Sequence, residues 1–327
     1  MKKLTVAVFF GSRSAEHDVS IVTALASIVK PLQLTNKYRI VPVYIAKDGQ
    51  WYSDEKLKDI NLYSSGKIDE WMSMQKPLAI QFDGGLTLLK RGIKTKTIKV
   101  DVAFPATHGT HGEDGDLMGI FEMANVPYVG CNVQASAVAM DKVTSKLIAE
   151  VAGIPITKFI FFTDLEYKNE AKDVVATIQK KLKYPLFGKP AHLGSSIAIS
   201  KVNNKNELHN AIELAFHYDD KVLVEEGVNN LIEVTQPILG NDKLLLAHLE
   251  QPLPPENGVF DFDTKYLSQG KGGKKMGSHS EATQGSQGYS KLPADLPKKL
   301  YSEAQHLAVV VYRALGCSGM ARVDMLI

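Results

Sequence analysis

The chain has 327 residues, 44% of them hydrophobic, with 38 Lys and Arg against 36 Asp and Glu. That is enough apolar material for two or three domains with their own cores, and a charge balance too near neutral for nucleic acid or an anionic membrane to be the principal partner. No apolar run approaches the ~20 residues needed to span a membrane, and Cys131 and Cys317 lie far apart with no CxxC or Cys/His pattern, which argues against a disulfide framework or a zinc site.

Met1-Lys2-Lys3 ahead of Leu4 to Phe10 has the outline of a short signal peptide, but the apolar run stops at Gly11 and charge follows at once. A buried first strand fits better, and the expected address is the cytoplasm. After Gly11-Ser12-Arg13-Ser14, Val19, Val22, Ala26 and Val29 recur at helical spacing. Tyr38 to Ala46 reads as a second buried strand and Val100 to Phe104 as a third, so residues 1–130 read as an α/β domain with a mostly parallel sheet. Ligands of such sheets sit at the carboxyl ends of the strands, where Gly11 to Glu16 and Thr107 to Gly115 fall.

A second unit is expected over 131–226. Asp141 opens a helix with Val143, Leu147 and Val151 on one face, Gly153 and Pro155 end it, and strands follow around Phe159 to Phe162, Leu186 to Lys189 and Ile197 to Ser200. A third unit, 227–327, holds a long helix with a Leu307, Val310, Val311, Ala314 stripe, capped by Gly316, and a last strand from Met320. Within it, Ser268 to Lys291 carries six glycines and four lysines with one glutamate. It has too little apolar surface for a core and reads either as a surface loop or as a mobile lid over phosphates. The sequence stops in what reads as the middle of a buried strand, so more chain is expected to follow.

Chemistry concentrates in a few clusters. Lys189-Pro190-Ala191-His192-Leu193-Gly194-Ser195-Ser196 places a lysine before a hydroxyl-rich glycine turn whose N–H groups have room to reach phosphate oxygens. Ser14-Ala15-Glu16-His17-Asp18-Val19-Ser20 puts a carboxylate near a helix start, suited to an ammonium group but also favoured there by the helix dipole. His108-Gly109-Thr110-His111-Gly112-Glu113-Asp114-Gly115 packs two histidines, two carboxylates and three glycines into eight positions. Val222-Leu223-Val224-Glu225-Glu226 is an apolar strand ending in carboxylates, either solvated or functional, with Glu233 a few residues on. Asp263-Thr264-Lys265-Tyr266 and Ala321-Arg322-Val323-Asp324 complete the set; an Asp on a strand is a plausible Mg²⁺ ligand, and an Arg two residues earlier shares its face.

In this order and spacing the clusters closely resemble the D-alanine–D-alanine ligases of the ATP-grasp superfamily. The resemblance covers essentially the whole chain, from Phe10-Gly11 and Glu16-His17-x-Val19-Ser20, through His108-Gly109-x-x-Gly112-Glu113-Asp114-Gly115, Met140-Asp141-Lys142 and Lys189-Pro190-x-x-x-Gly194-Ser195-Ser196, to Lys265-Tyr266 and Ala321-Arg322-x-Asp324. It implies an α/β chain, α+β in part, of ATP-grasp architecture: an N-terminal Rossmann-like domain followed by two ATP-grasp subdomains. It also implies that ATP phosphorylates one D-alanine and that the amine of a second attacks the acyl phosphate, supplying peptidoglycan precursors in the cytoplasm. The cofactors implied are ATP and Mg²⁺ (or Mn²⁺), the partners small molecules alone, and the usual assembly a homodimer.

Residue by residue, the resemblance implies that Glu16 binds the ammonium of the first D-alanine with His108 nearby, and that Ser195 positions that substrate and the lid. Lys142 and Lys189 would meet ATP phosphates, Glu225 the adenine amino group, and Lys265 the γ-phosphate. Glu233 would meet the ribose hydroxyls, on its distance to Leu239-Gly240-Asn241. Arg322 would stabilise the tetrahedral oxyanion, Asp324 would ligate the metal, and Tyr266 favours an amine over a hydroxyl nucleophile. The alternatives are a D-alanine–D-lactate or D-alanine–D-serine ligase, or an inactive nucleotide binder. Two positions depart from the family pattern: Gly188, where a β-branched residue is usual, and Ser12, where a glycine is frequent. The family also continues past the last strand with an Asn-Glu-x-Asn-Thr-x-Pro-Gly type motif that completes the metal site, so the chain is expected to be a fragment of a longer ligase.

Overall fold

The computed structural model describes residues 3–92, 94–253 and 290–327. Lys265, Tyr266 and all but the last two residues of the expected lid lie outside them. The described chain forms two compact units, Met1–Ala137 and Val138–Ile327.

In the first unit, strands β1 (Leu4–Gly11), β2 (Tyr38–Ile45) and β3 (Trp51–Tyr52) are followed by β4 (Leu78–Phe82), β5 (Leu86–Lys90), β6 (Lys96–Val100) and β7 (Val102–Pro105). β1 pairs in parallel with both β2 and β7, and β3 closes one edge antiparallel, in the order β3-β2-β1-β7. A parallel sheet is stable when both faces are covered, which is why β1 is apolar on both sides. Val6, Val8 and Phe10 pack on one face with Ile21, Ala24, Leu25 and Val29. Ala7 and Phe9 pack on the other with Leu86, Leu88, Leu117 and Phe121. The antiparallel sheet β4-β5-β6 was not among the expected elements.

Helices α1 (His17–Val22) and α2 (Lys30–Leu34) are joined by a π-helical stretch, Thr23–Val29. The buried face differs from the expected one: Val22 and Ala26 are exposed, while His17, Ser20, Ile21, Ala24, Leu25 and Val29 turn inward. Periodicity in apolar residues alone misplaced the face because two inward positions are polar residues whose hydrogen bonds are satisfied inside. α3 (Ile60–Ser64), α4 (Ile68–Ser73), α5 (Asp116–Met123) and α6 (Val133–Met140) follow, the division between units falling within α6.

The second unit opens with α7 (Lys142–Val151), then β8 (Phe159–Thr163), α8 (Asp164–Lys181), β9 (Leu186–Pro190), β10 (Ser200–Val202), α9 (Lys205–Phe216) and β11 (Lys221–Glu226). The sheet β10-β9-β11-β8 is antiparallel throughout. Ile178 of α8 and Leu208, Ile212 and Ala215 of α9 cover one face, against Leu186, Val222 and Val224. Next come β12 (Glu233–Gly240), β13 (Leu244–Leu246), the short pair β14 (Gln251–Pro252) and β15 (Ser290–Lys291), α10 (Lys298–Ala314) and β16 (Met320–Leu326). Sheet β13-β12-β16 carries α10 on one face, where Ala308 and Tyr312 meet Ile238 and Val323.

Three local expectations shift. The strand expected from Ile197 begins only at Ser200, because Ser195, Ser196 and Ala198 take left-handed backbone angles that break any ladder. On α7, Val143 is buried but Leu147 is 41% and Val151 91% exposed, so the apolar face is only anchored at its first turn. On α10 the fully buried residues are Ala304, Ala308 and Tyr312, beside the half-buried Leu307, Val310 and Val311. No described helix is long and apolar enough to cross a membrane.

Candidate functional site

In the first unit, parallel pairing of β1 with β7 brings the turns after both strands to the same sheet end. Ser20 ties them: its Oγ accepts the Gly11 N–H at 2.8 Å and donates to the Ala106 carbonyl at 2.8 Å. His17, also buried, faces the Ser12 carbonyl at 2.6 Å through Nδ1 and the Tyr44 hydroxyl at 3.0 Å through Nε2. Burial lowers its pKa, which outweighs the Ser12 hydrogen bond that raises it. The neutral ring therefore donates from Nδ1 and accepts from Tyr44. Ser12 itself has φ +86°, a left-handed position that favours glycine and accounts for the frequent glycine at this point of the family pattern.

Glu16 caps this arrangement. It is buried at the start of α1, and its carboxylate lies against Gly109 in the loop after β7. His108, in the same loop, approaches the Thr23 hydroxyl at 2.9 Å through Nε2 and Glu113 Oε1 at 3.6 Å through Nδ1. The loop braces itself with its own acids: Glu113 accepts the Gly109 N–H at 2.8 Å and Asp114 the His111 N–H at 2.6 Å. The turns that carry Glu16 and His108 are thus brought together, at the strand ends where a ligand of such a sheet was expected.

In the second unit, Glu225 near the end of β11 is 3% exposed. Its Oε1 is bonded by Lys189 of β9, the two residues lying on adjacent strands. Its Oε2 receives Lys146 Nζ at 2.7 Å and the Thr157 hydroxyl at 2.7 Å. Burial pushes this carboxyl upward, but the Lys189 and Lys146 ammonium groups outweigh it and bring the pKa down to about 2. Lys142, the first residue of α7, donates from Nζ to the Ala191 and Leu193 carbonyls. Burial, with repulsion from Lys189, lowers its pKa to about 8 despite the nearby acids.

The loop after β9 is pinned at its root. His192 donates its backbone N–H to Asp219 at 2.7 Å and meets the same carboxylate at 3.0 Å through Nδ1. Asp141 caps α7, accepting the Val143 N–H at 2.9 Å, and pairs with Lys221 at 2.6 Å. Beyond this root, Ser195 and Ser196 hold φ of +50° and +60°. Non-glycine residues held in that region cost about 1–3 kcal/mol each.

The third sheet carries the remaining candidates. Glu233 starts β12 opposite Leu326. Arg322 and Asp324 share one face of β16, and the guanidinium grips the carboxylate through two 2.8 Å bonds. Among the described residues, the clusters with metal-ligand spacing are His111/Asp114/Asp116 and His192/Asp219/Asp220, and neither contains Asp324.

Comparison with known proteins decides the family. The family model for the D-ala D-ala ligase N-terminus matches residues 5–131, and that for the D-ala D-ala ligase C-terminus matches 148–327. The chain belongs to the D-alanine–D-alanine ligase family. The ligase of Acetivibrio thermocellus is 37% identical over 99% of this chain and 84% of its own length. That of Chlorobium chlorochromatii is 38% identical over 100% and 86%. Among solved structures, the VanG D-Ala:D-Ser ligase of Enterococcus faecalis matches with TM-score 0.75 and 33% identity over 99% of this chain and 86% of its own. The D-alanine-D-alanine ligase of Coxiella burnetii matches with TM-score 0.75 and 27% identity over 99% and 80%. The fold is therefore that of the ATP-grasp ligases, and the chemistry an ATP-using ligation of small molecules.

Four residues of the ligase that bond the candidate residues or their neighbours were not singled out by motif reading. Lys146 lies one helical turn after Lys142, a spacing that places both on one face of α7. Thr157, Asp219 and Lys221 gave no local signal, since their partners are 68, 27 and 80 residues away.

Proposed function

We propose that this ligase joins two D-alanines to D-alanyl-D-alanine at the expense of ATP, and that the residues of the two units divide the work as follows. The observation that carries the nucleotide half is the buried Glu225 carboxylate, flanked by Lys189 on the neighbouring strand. An ionised acceptor beside cations suits a base with an exocyclic amine followed by a polyphosphate. Glu225 takes the adenine amino group, Glu233 the ribose hydroxyls, and Lys142, Lys189 and Lys265 the phosphates.

Glu16 holds the ammonium of the first D-alanine beside His108, and Ser195 orients its carboxylate. An oxygen of that carboxylate attacks the γ-phosphorus and ADP departs, giving an acyl phosphate whose leaving group is far better than oxide. The neutral amine of the second D-alanine attacks the acyl carbon, the Arg322 cation faces the oxyanion that forms, and inorganic phosphate leaves as the amine sheds its proton. Tyr266 favours an amine nucleophile. Asp324, an exposed carboxylate on β16 paired with Arg322, would hold Mg²⁺ (or Mn²⁺) together with the triphosphate oxygens. When bound there, the ion supplies positive charge that offsets the triphosphate.

We further propose that residues 131–226 and 227–327 are two ATP-grasp subdomains, that the ligase works in the cytoplasm, and that it is a homodimer. Separate sheets on either side of residue 227 support the subdivision. The test of function is to offer ATP with D-alanine, alone or mixed with D-lactate or D-serine, and to identify products by mass. Dipeptide, ADP and phosphate in equal amounts are expected; a mixed D-alanyl-D-serine or D-alanyl-D-lactate product in excess would overturn the choice of nucleophile.

A further inference from the structure

Lys189 has two calls on it. Its ammonium bonds Glu225 Oε1, yet it is also the cation assigned above to a phosphate oxygen. When a triphosphate draws Lys189 away, Glu225 needs another partner to stay charged, because a carboxylate that is 3% exposed has almost no water to replace it. That partner is present. Lys146 Nζ lies 2.7 Å from Oε2, the oxygen that Lys189 does not use. The Thr157 hydroxyl donates to the same Oε2 at 2.7 Å and accepts from Lys146 at 2.7 Å, closing a triangle of three polar groups. Lys146 is itself confined: it sits one turn into α7, its ammonium lies 5.3 Å from the centre of the Phe159 ring, and its side chain is 20% exposed.

We propose that Lys146, braced by Thr157, is a positioning and specificity-determining residue: it keeps Glu225 ionised and turned so that Oε1 accepts from the 6-amino group of adenine once Lys189 leaves for the phosphates. A carboxylate so held rejects a 6-oxo purine, whose oxygen at that place is an acceptor and would face another acceptor in a site with little water. A neutral carboxylic acid would lose this discrimination, since its O–H donates to a 6-oxo group. The idea rests on the assignment of Glu225 to adenine.

The experiment measures equilibrium dissociation constants of the full chain for ATP and ITP by titration calorimetry, for the natural chain and for Lys146→Met, Lys146→Arg, Thr157→Val and Glu225→Gln. Lys146→Met is expected to weaken ATP at least tenfold, to leave ITP within about threefold, and so to collapse the ATP:ITP ratio. Lys146→Arg should restore most of it. In Lys146→Met the ratio should also fall as pH drops from 7 to 5.5, as Glu225 gains a proton that two cations deny it in the natural chain; a purely structural role for Lys146 would not move that profile. Should Lys146→Met fail to fold, Thr157→Val carries the test, with a smaller loss of ratio in the same direction. Equal weakening of both nucleotides in these variants, with Glu225→Gln still collapsing the ratio, overturns the role of Lys146. An unchanged ratio in Glu225→Gln overturns the adenine assignment instead.

Discussion

A methyl group built on Gly109 would lie 2.6 Å from Glu16 Oε2 and 2.7 Å from the Ser14 hydroxyl, so the loop after β7 and the acid after β1 share one van der Waals surface. Gly109 also has φ +69°, which a side chain would strain. Gly109→Ala should therefore push the Glu16 carboxylate aside. The expected result is a rise of about tenfold or more in the KM for D-alanine, a loss of about 1.4 kcal/mol, with ATP affinity unchanged. Initial-rate measurements with each substrate varied in turn check it; a parallel loss for ATP would mean that Glu16 does not serve the amino acid.

Gly188 explains its own departure from the family pattern. A Cβ there would sit 3.2 Å from the Ala211 Cβ, because α9 rides close over β9. A β-branched residue needs a helix set further out. Gly188→Val is expected to destabilise the second unit by about 1–3 kcal/mol through overpacking. Pairing it with Ala211→Gly should recover part of that loss, and urea unfolding of the single and double variants provides the measurement.

If Lys142 meets the phosphates as proposed, it should set an upper pH limit for nucleotide binding. Its pKa of about 8 in the free chain means that the ammonium is present at pH 7 and lost as pH rises through 8. With the charged form as the proposed phosphate partner, kcat/KM for ATP should fall above pH 8. Lys142→Arg, which cannot lose its proton in this range, should shift that fall upward. A pH profile whose alkaline limb is identical in both chains would count against Lys142 as the titrating group.

Asp141 and Glu225 govern acid stability. Burial raises both, but Lys221 with the α7 backbone for Asp141, and Lys189 with Lys146 for Glu225, bring each to about 2. Folded pKa values below the unfolded ones of ~4 contribute stability that is complete above that range and lost as pH falls toward 2. Asp141→Ala removes both the helix cap and the ion pair and should cost about 2–4 kcal/mol at pH 7; Asp141→Asn keeps the cap and should cost less. At pH 3 the penalty of both should shrink, which denaturant unfolding at the two pH values tests.

The legible parts of this chain were those whose meaning is local. β1 reads as a buried strand from its unbroken apolar run, Ser12 and the glycine turns from their neighbours, and Glu16, Lys189, Glu225 and Asp324 from their places at or near strand ends. The outline of a ligase followed from their order. Where reading failed, the cause was a polar residue in an apolar role or an apolar residue in an exposed one. His17 and Ser20 occupy the inner face of the first helix because Tyr44, the Ser12 and Ala106 carbonyls and the Gly11 N–H satisfy them. Leu147 and Val151 continue a stripe that is buried only at Val143.

Strand runs, turn residues and the succession of charged motifs were decided along the chain, since backbone preference and hydrophobic period act between near neighbours. The state of each functional group was decided only in three dimensions. That the Lys142 pKa falls to about 8, that Glu225 stays charged in a dry place, and that Lys189 and Lys146 rather than solvent sustain it depend on burial and on partners tens of residues away. Desolvation and Coulomb attraction depend on distance in space and on excluded water, and neither quantity is written in residue order.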